Sequence, residues 1–71
     1  MERKEYTFIY NNKPIYRGWF APFHEATNGS ISEVQTFAQG ITIGLRIKGV
    51  KSPEIKVWEL GEKEKLVLIQ R

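Results

Sequence analysis

Apolar and polar positions alternate from Glu5 to Tyr10, with Tyr6, Phe8 and Tyr10 on one side and Thr7 and Ile9 on the other. Aromatic and β-branched residues at a period of two predict a strand. Asn11-Asn12-Lys13-Pro14 is turn chemistry, since Asn tolerates left-handed backbone and Pro suits a strand entrance. Ile15 to Phe20 reads as a second strand, which makes the start of the chain a β-hairpin. Ala21 to Gly29 holds Pro22, His24 and an Asn28-Gly29 turn signal, and is expected to be irregular.

Ser30-Ile31-Ser32-Glu33 matches a capping box, in which a Ser hydroxyl and a Glu carboxylate satisfy amides at a helix start. Ile31, Val34, Phe37 and Ala38 follow at helical spacing and Gly40 supplies a stop, predicting one amphipathic helix of about ten residues. Ile41 to Lys48 alternates again, with Ile41, Ile43, Leu45 and Ile47 set against Thr42, Gly44, Arg46 and Lys48, and predicts a third strand. Beyond a turn at Gly49 to Pro53, Ile55 to Leu60 predicts a fourth strand and Gly61 to Lys65 a charged loop. Leu66 to Ile69 predicts a fifth. Its unbroken apolar run argues for burial on both faces, hence a central strand or one covered by a partner. The expected architecture is a single α+β domain over residues 1–71: a mostly antiparallel sheet of about five strands in the order β-β-α-β-β-β, with one short helix packed on it.

A chain of 71 residues buries only about 60% of the surface its unfolded form exposes, so it must find stability in packing, cross-links or association. With no cysteine there is no disulfide, and with no Asp and one His there is no ordinary structural metal set. Neither a cofactor nor a metal is expected. Hydrophobic residues at 41% suffice for a core, and nothing approaches the roughly 20 apolar residues of a membrane span. The charged start Met1-Glu2-Arg3-Lys4-Glu5 and the lack of cysteine point to the cytoplasm. Asn28-Gly29-Ser30 matches a glycosylation acceptor but reads better as a turn. A net charge of +3, spread along the chain, permits an anionic partner without demanding one.

Catalysis lacks an inventory. His24 is the lone histidine, and Ser30, Ser32 and Ser52 sit where turns and caps already account for them. Five of the eight Glu (Glu2, Glu25, Glu54, Glu62, Glu64) lie near chain ends, in turns or in the loop, where solvated charge is the usual role. Glu59, between Trp58 and Leu60, is the exception, and pairing with Lys65 or a strand neighbour is its expected use. Gly44 to Ser52 superficially resembles a phosphate-binding loop, but its Lys-Ser pair is displaced by one residue and the context is wrong. The Lys/Arg-Gly-Phe/Tyr signature of RNA-recognition motifs is absent, and one short helix does not supply a helix-turn-helix. No enzyme is expected.

Two surfaces remain. The rings Tyr6, Phe8, Tyr10, Tyr16, Trp19 and Phe20 form either the core beneath the helix or an exposed interface. Hairpin length decides which of them cluster: a three-residue loop gathers Tyr6, Phe8, Tyr10, Tyr16 and Phe20 around Gly18, whereas two or four residues bring Trp19 beside the first three. Arg46, Lys48, Lys56 and Trp58 would form a cation-plus-aromatic patch if the third and fourth strands paired. Such a patch suits single-stranded nucleic acid, or is a solvated face whose indole a second subunit covers. One short helix cannot cover both faces of the sheet, although apolar residues occupy both. The leading expectation is therefore a protein-interaction or regulatory module, either a homo-oligomer or the partner of another protein; nucleic-acid binding is the alternative.

Overall fold

The computed structural model describes residues 2–24 and 29–71. The Asn28 half of the turn signal, and Glu25, lie outside them. Among the described residues four strands and one helix are formed: β1 (Lys4–Tyr10), β2 (Lys13–Phe20), α1 (Glu33–Ile47), β3 (Ile55–Glu59) and β4 (Lys65–Gln70). The fold is α+β. The strands make one antiparallel sheet in the order β2-β1-β3-β4, and α1 lies across one face, nearest β3 and β4.

The first hairpin closes through Asn11 and Asn12, both left-handed at φ 54° and 63°. A two-residue turn of that hand matches the twist of its strands. Tyr10 then pairs with Lys13 and Ile9 with Pro14, but farther along Phe8 pairs with Tyr16 and Tyr6 with Gly18. Ile15 has no counterpart and forms a bulge. The tight turn thus combines with one extra residue to reach the register expected of a three-residue loop. Tyr6, Phe8, Tyr10, Tyr16 and Phe20 share the helix side, and Trp19 falls on the other.

The predicted strand from Ile41 to Lys48 is not a strand. It is the C-terminal half of α1, so the sheet has four strands and the helix 15 residues. Alternation competes here with a longer period: Val34, Phe37, Ala38, Ile41 and Leu45 make one stripe on the core, and Thr42 is buried beside it. Gly40 does not end the helix, because glycine inside a helix costs only about 1 kcal/mol. Gly49, at φ 98°, is the stop. Gly49 N–H bonds the Arg46 carbonyl and Val50 N–H bonds that of Leu45, a Schellman closure. The predicted capping box is also absent. Ser32, not Ser30, is the N-cap, its hydroxyl makes no cap bond, and Glu33 is already the first helical residue. The Glu33 carboxylate instead accepts from Arg3 at 3.3 Å and from the Ala21 amide at 3.2 Å, tying the helix start to both ends of the first hairpin.

Tyr6, Phe8, Val34, Ala38, Ile55 and Val57 are wholly buried. Phe20 and Phe37 complete a ring cluster with Phe8 at centroid separations of 5.0–5.5 Å. Tyr16 stacks on Phe37 at 4.7 Å, yet remains partly exposed at the β2 edge. Leu66–Ile69, expected to be either a central strand or one covered by a partner, is the edge strand β4, with Leu66 and Ile69 exposed.

Candidate interaction surface

The sheet face opposite α1 is built by alternation, and the pairing registers order it into rows. Pro14, Ile9, Lys56 and Ile69 lie abreast. Arg17, Thr7, Trp58 and Leu66 form the next row. Trp19 and Glu5 begin a third, which continues where the Leu60 amide bonds the Glu5 carbonyl at 2.9 Å. Among the described residues no helix or strand covers this face. Trp19 is 62% exposed, and Ile69 and Leu66 are exposed as well. A shallow recess of about 310 Å³ is lined by Thr7, Ile9, Lys56, Trp58 and Leu60 together with Asn12 and Glu64.

The charges on this face nearly cancel. Arg17 grips Glu5 through two bonds, Nε to Oε2 at 2.8 Å and Nη2 to Oε1 at 3.1 Å, a fork that also raises the guanidinium pKa above its ordinary value. Lys56 and Glu64 add one charge of each sign. The cation-plus-aromatic patch expected from the sequence is accordingly divided. Lys56 and Trp58 share the open face, but Arg46 lies in α1 and Lys48 caps its C-terminus, on the helix side. With residues 41–47 helical, their alternate side chains do not line up in the sheet beside β3.

The other predicted site residues sort cleanly. Tyr6, Phe8, Tyr10 and Phe20 belong to the core and its margin, Tyr16 to the core's exposed edge, and Trp19 to the open face. Of the two partners expected for Glu59, Lys65 does not bond it, but a strand neighbour does: Tyr6 faces it from β1. Glu59 accepts from Lys4 Nζ at 3.3 Å and from the Tyr6 hydroxyl at 3.3 Å. The same hydroxyl accepts from the Phe23 amide at 2.8 Å, pinning the chain that leaves β2. Burial raises the Tyr6 phenol above its usual range, only partly offset by the Phe23 amide, with Glu59 adding to the rise. His24 is exposed, with Ser30 Oγ at 3.5 Å, and no described carboxylate bonds its ring. The segment Gly44 to Ser52 runs from helix into loop, the reverse of a phosphate-binding turn. Among the described residues no three His, Cys, Asp or Glu gather as a metal set, and no helix is long and apolar enough to cross a membrane.

Ile9, Arg17 and Leu60 also belong to the surface and no sequence signal marks them as such, whereas Leu66 and Ile69 come from the run expected to be central or covered by a partner. Their alternation was visible, but membership depends on strand order and on two bulges, which no local pattern encodes. Comparison with protein-family profiles, with curated proteins and with solved structures finds no match.

Proposed function

We propose that this chain is a small non-enzymatic interaction module, working in the cytoplasm, that offers its open sheet face to a protein partner and associates with itself. The observation that carries this reading is the pair of tryptophans, Trp19 and Trp58, on a charge-balanced apolar face that no other part of the described chain covers. An indole buries about 150–250 Å² when fully covered. The exposed 62% of Trp19 therefore leaves on the order of 100–150 Å² to be removed from water, about 3 kcal/mol at about 25 cal/mol per Å². Interfaces favour Trp and Arg, and both stand here beside aliphatic neighbours. The near-cancelled charge speaks for a protein surface over a polyphosphate, which binds through unpaired cations.

Sedimentation velocity from about 10 µM to about 1 mM tests the reading, with tryptophan emission followed in parallel. Association with a blue shift is expected, and Trp19→Lys should weaken it without loss of the circular dichroism spectrum. A strict monomer with solvent-exposed tryptophan emission throughout that range argues against the proposal.

A further inference from the structure

Edge strands are the second uncovered feature of the sheet, and its two edges differ. In β2 the edge is interrupted by Pro14, which has no amide to offer another strand, whereas a bulge is common to both edges, at Ile15 in β2 and at Val67 in β4. In β4 there is no proline or glycine, and Leu66-Val67-Leu68-Ile69 is apolar throughout. Among the described residues β4 pairs with β3 alone, and its remaining amides and carbonyls have no backbone partner.

The side-chain order of β4 is self-complementary along its whole length in a single register. Val67 has no counterpart on β3, because Val57 pairs with Leu68 and Trp58 with Leu66. This bulge changes which positions share a face. Leu66 and Ile69 both lie on the open side, opposite Trp58 and Lys56; Lys65 and Gln70 both lie on the helix side, opposite Glu59 and Ile55. Val67 and Leu68 both pack against the core. Two copies of β4 laid antiparallel about an axis between Val67 and Leu68 therefore match at every position. Leu66 meets Ile69, Val67 meets Leu68 and Lys65 meets Gln70, each pair on a common face, and Glu64 meets Arg71. Sliding one strand by a residue in either direction opposes faces, and brings Arg71 against Lys65 or Lys63. Like charges placed directly across a ladder destabilise it.

We infer that β4 is the contact by which two copies of this chain join, antiparallel and two-fold symmetric, into one continuous eight-stranded sheet. This contact lies at the sheet edge opposite to Trp19 on β2, so it is separate from the open-face association proposed above, but it rests on the same reading of a self-associating module. Both open faces then lie side by side as one apolar surface. Arg71, which already holds Glu54 Oε2 at 3.0 Å, is 75% exposed at its side chain and has donors to spare for Glu64 of the second copy. Symmetry makes that contact twice.

The test is a charge exchange on the full chain, read by sedimentation velocity and by hydrogen exchange. Glu64→Arg and Arg71→Glu, both at exposed positions, should each weaken dimerisation about tenfold, because two like-charge contacts replace two attractive ones. Glu64→Arg with Arg71→Glu should restore it to within about twofold of the original. In the original dimer the β4 amides that do not bond β3 should gain protection as concentration rises. Dimers of equal strength in all four proteins, with those amides unprotected, overturn the β4 contact and leave the interaction-module reading intact. A strict monomer at about 1 mM overturns both.

Discussion

Gly18 offers a sharp test of how the aromatic side of the sheet is packed. It lies mid-strand opposite Tyr6, where glycine weakens a strand, so its presence needs a reason. A Cβ built there would meet Tyr16 Cε2 at 2.8 Å, Tyr16 Oη at 3.2 Å and Phe20 Cε1 at 3.3 Å. The space is occupied by the Tyr16 ring, which leans across Gly18 to stack on Phe37. In Gly18→Ala the half-exposed ring must swing away, which forfeits its contacts with Phe37 and Phe8 at about 0.5–1.5 kcal/mol each. Against this, alanine recovers about 0.5–1 kcal/mol of backbone entropy. The loss wins, and Gly18→Ala should destabilise by about 1 kcal/mol, lowering the melting temperature by about 4–8 °C in a domain of this size. The sign should reverse once the ring is gone: in a Tyr16→Ala background, Gly18→Ala should stabilise by about 0.5 kcal/mol. Urea unfolding of the four proteins, compared at equal m-value, measures the coupling. Equal effects of Gly18→Ala in both backgrounds would refute the steric account.

The remaining expectations concern the helix and the buried phenol. Gly40→Ala should stabilise by about 1 kcal/mol, since a Cβ there meets nothing within 4 Å, whereas Gly49→Ala should destabilise by a similar amount at φ 98°; thermal melts of the two variants decide. Tyr6 has its folded pKa raised, chiefly by burial, so the stability tied to its neutral phenol is complete below the unfolded value near 10 and is lost as pH climbs through the folded one. Urea midpoints from about pH 8 to about pH 12 should therefore fall less steeply for Tyr6→Phe than for the original chain, and parallel curves would count against this.

Where local chemistry and burial agreed, the residues announced their structure. Asn11-Asn12 and the aromatic alternation of β1 and β2 fixed the first hairpin, and Lys56 with Trp58 marked one column of the open face. Ile41–Lys48 misled because Ile41 and Leu45 fit either a period of two or the stripe that begins at Val34. Burying Val34, Phe37, Ala38, Ile41 and Leu45 together on one sheet outweighs the strand preference of isolated isoleucines, and leaves Ile43 and Ile47 facing water. The capping motif failed for a related reason: Glu33 found Arg3 and the Ala21 amide, long-range partners that a four-residue pattern cannot contain. The bulges at Ile15 and Val67 are set by strand pairing, so the composition of the open face and of the β4 edge could be assembled only once the sheet was in view.

The central pairing of β1 with β3 has a kinetic corollary. Each hairpin closes over a short loop and can form within microseconds. Tyr6 and Glu59, by contrast, must meet across most of the chain, as must Tyr10 and Ile55. That seam joins the two hairpins, and the entropy of closing so long a loop is spent in forming it. Folding speed should therefore be governed at this seam, with the hairpins flickering in and out of existence until it zips.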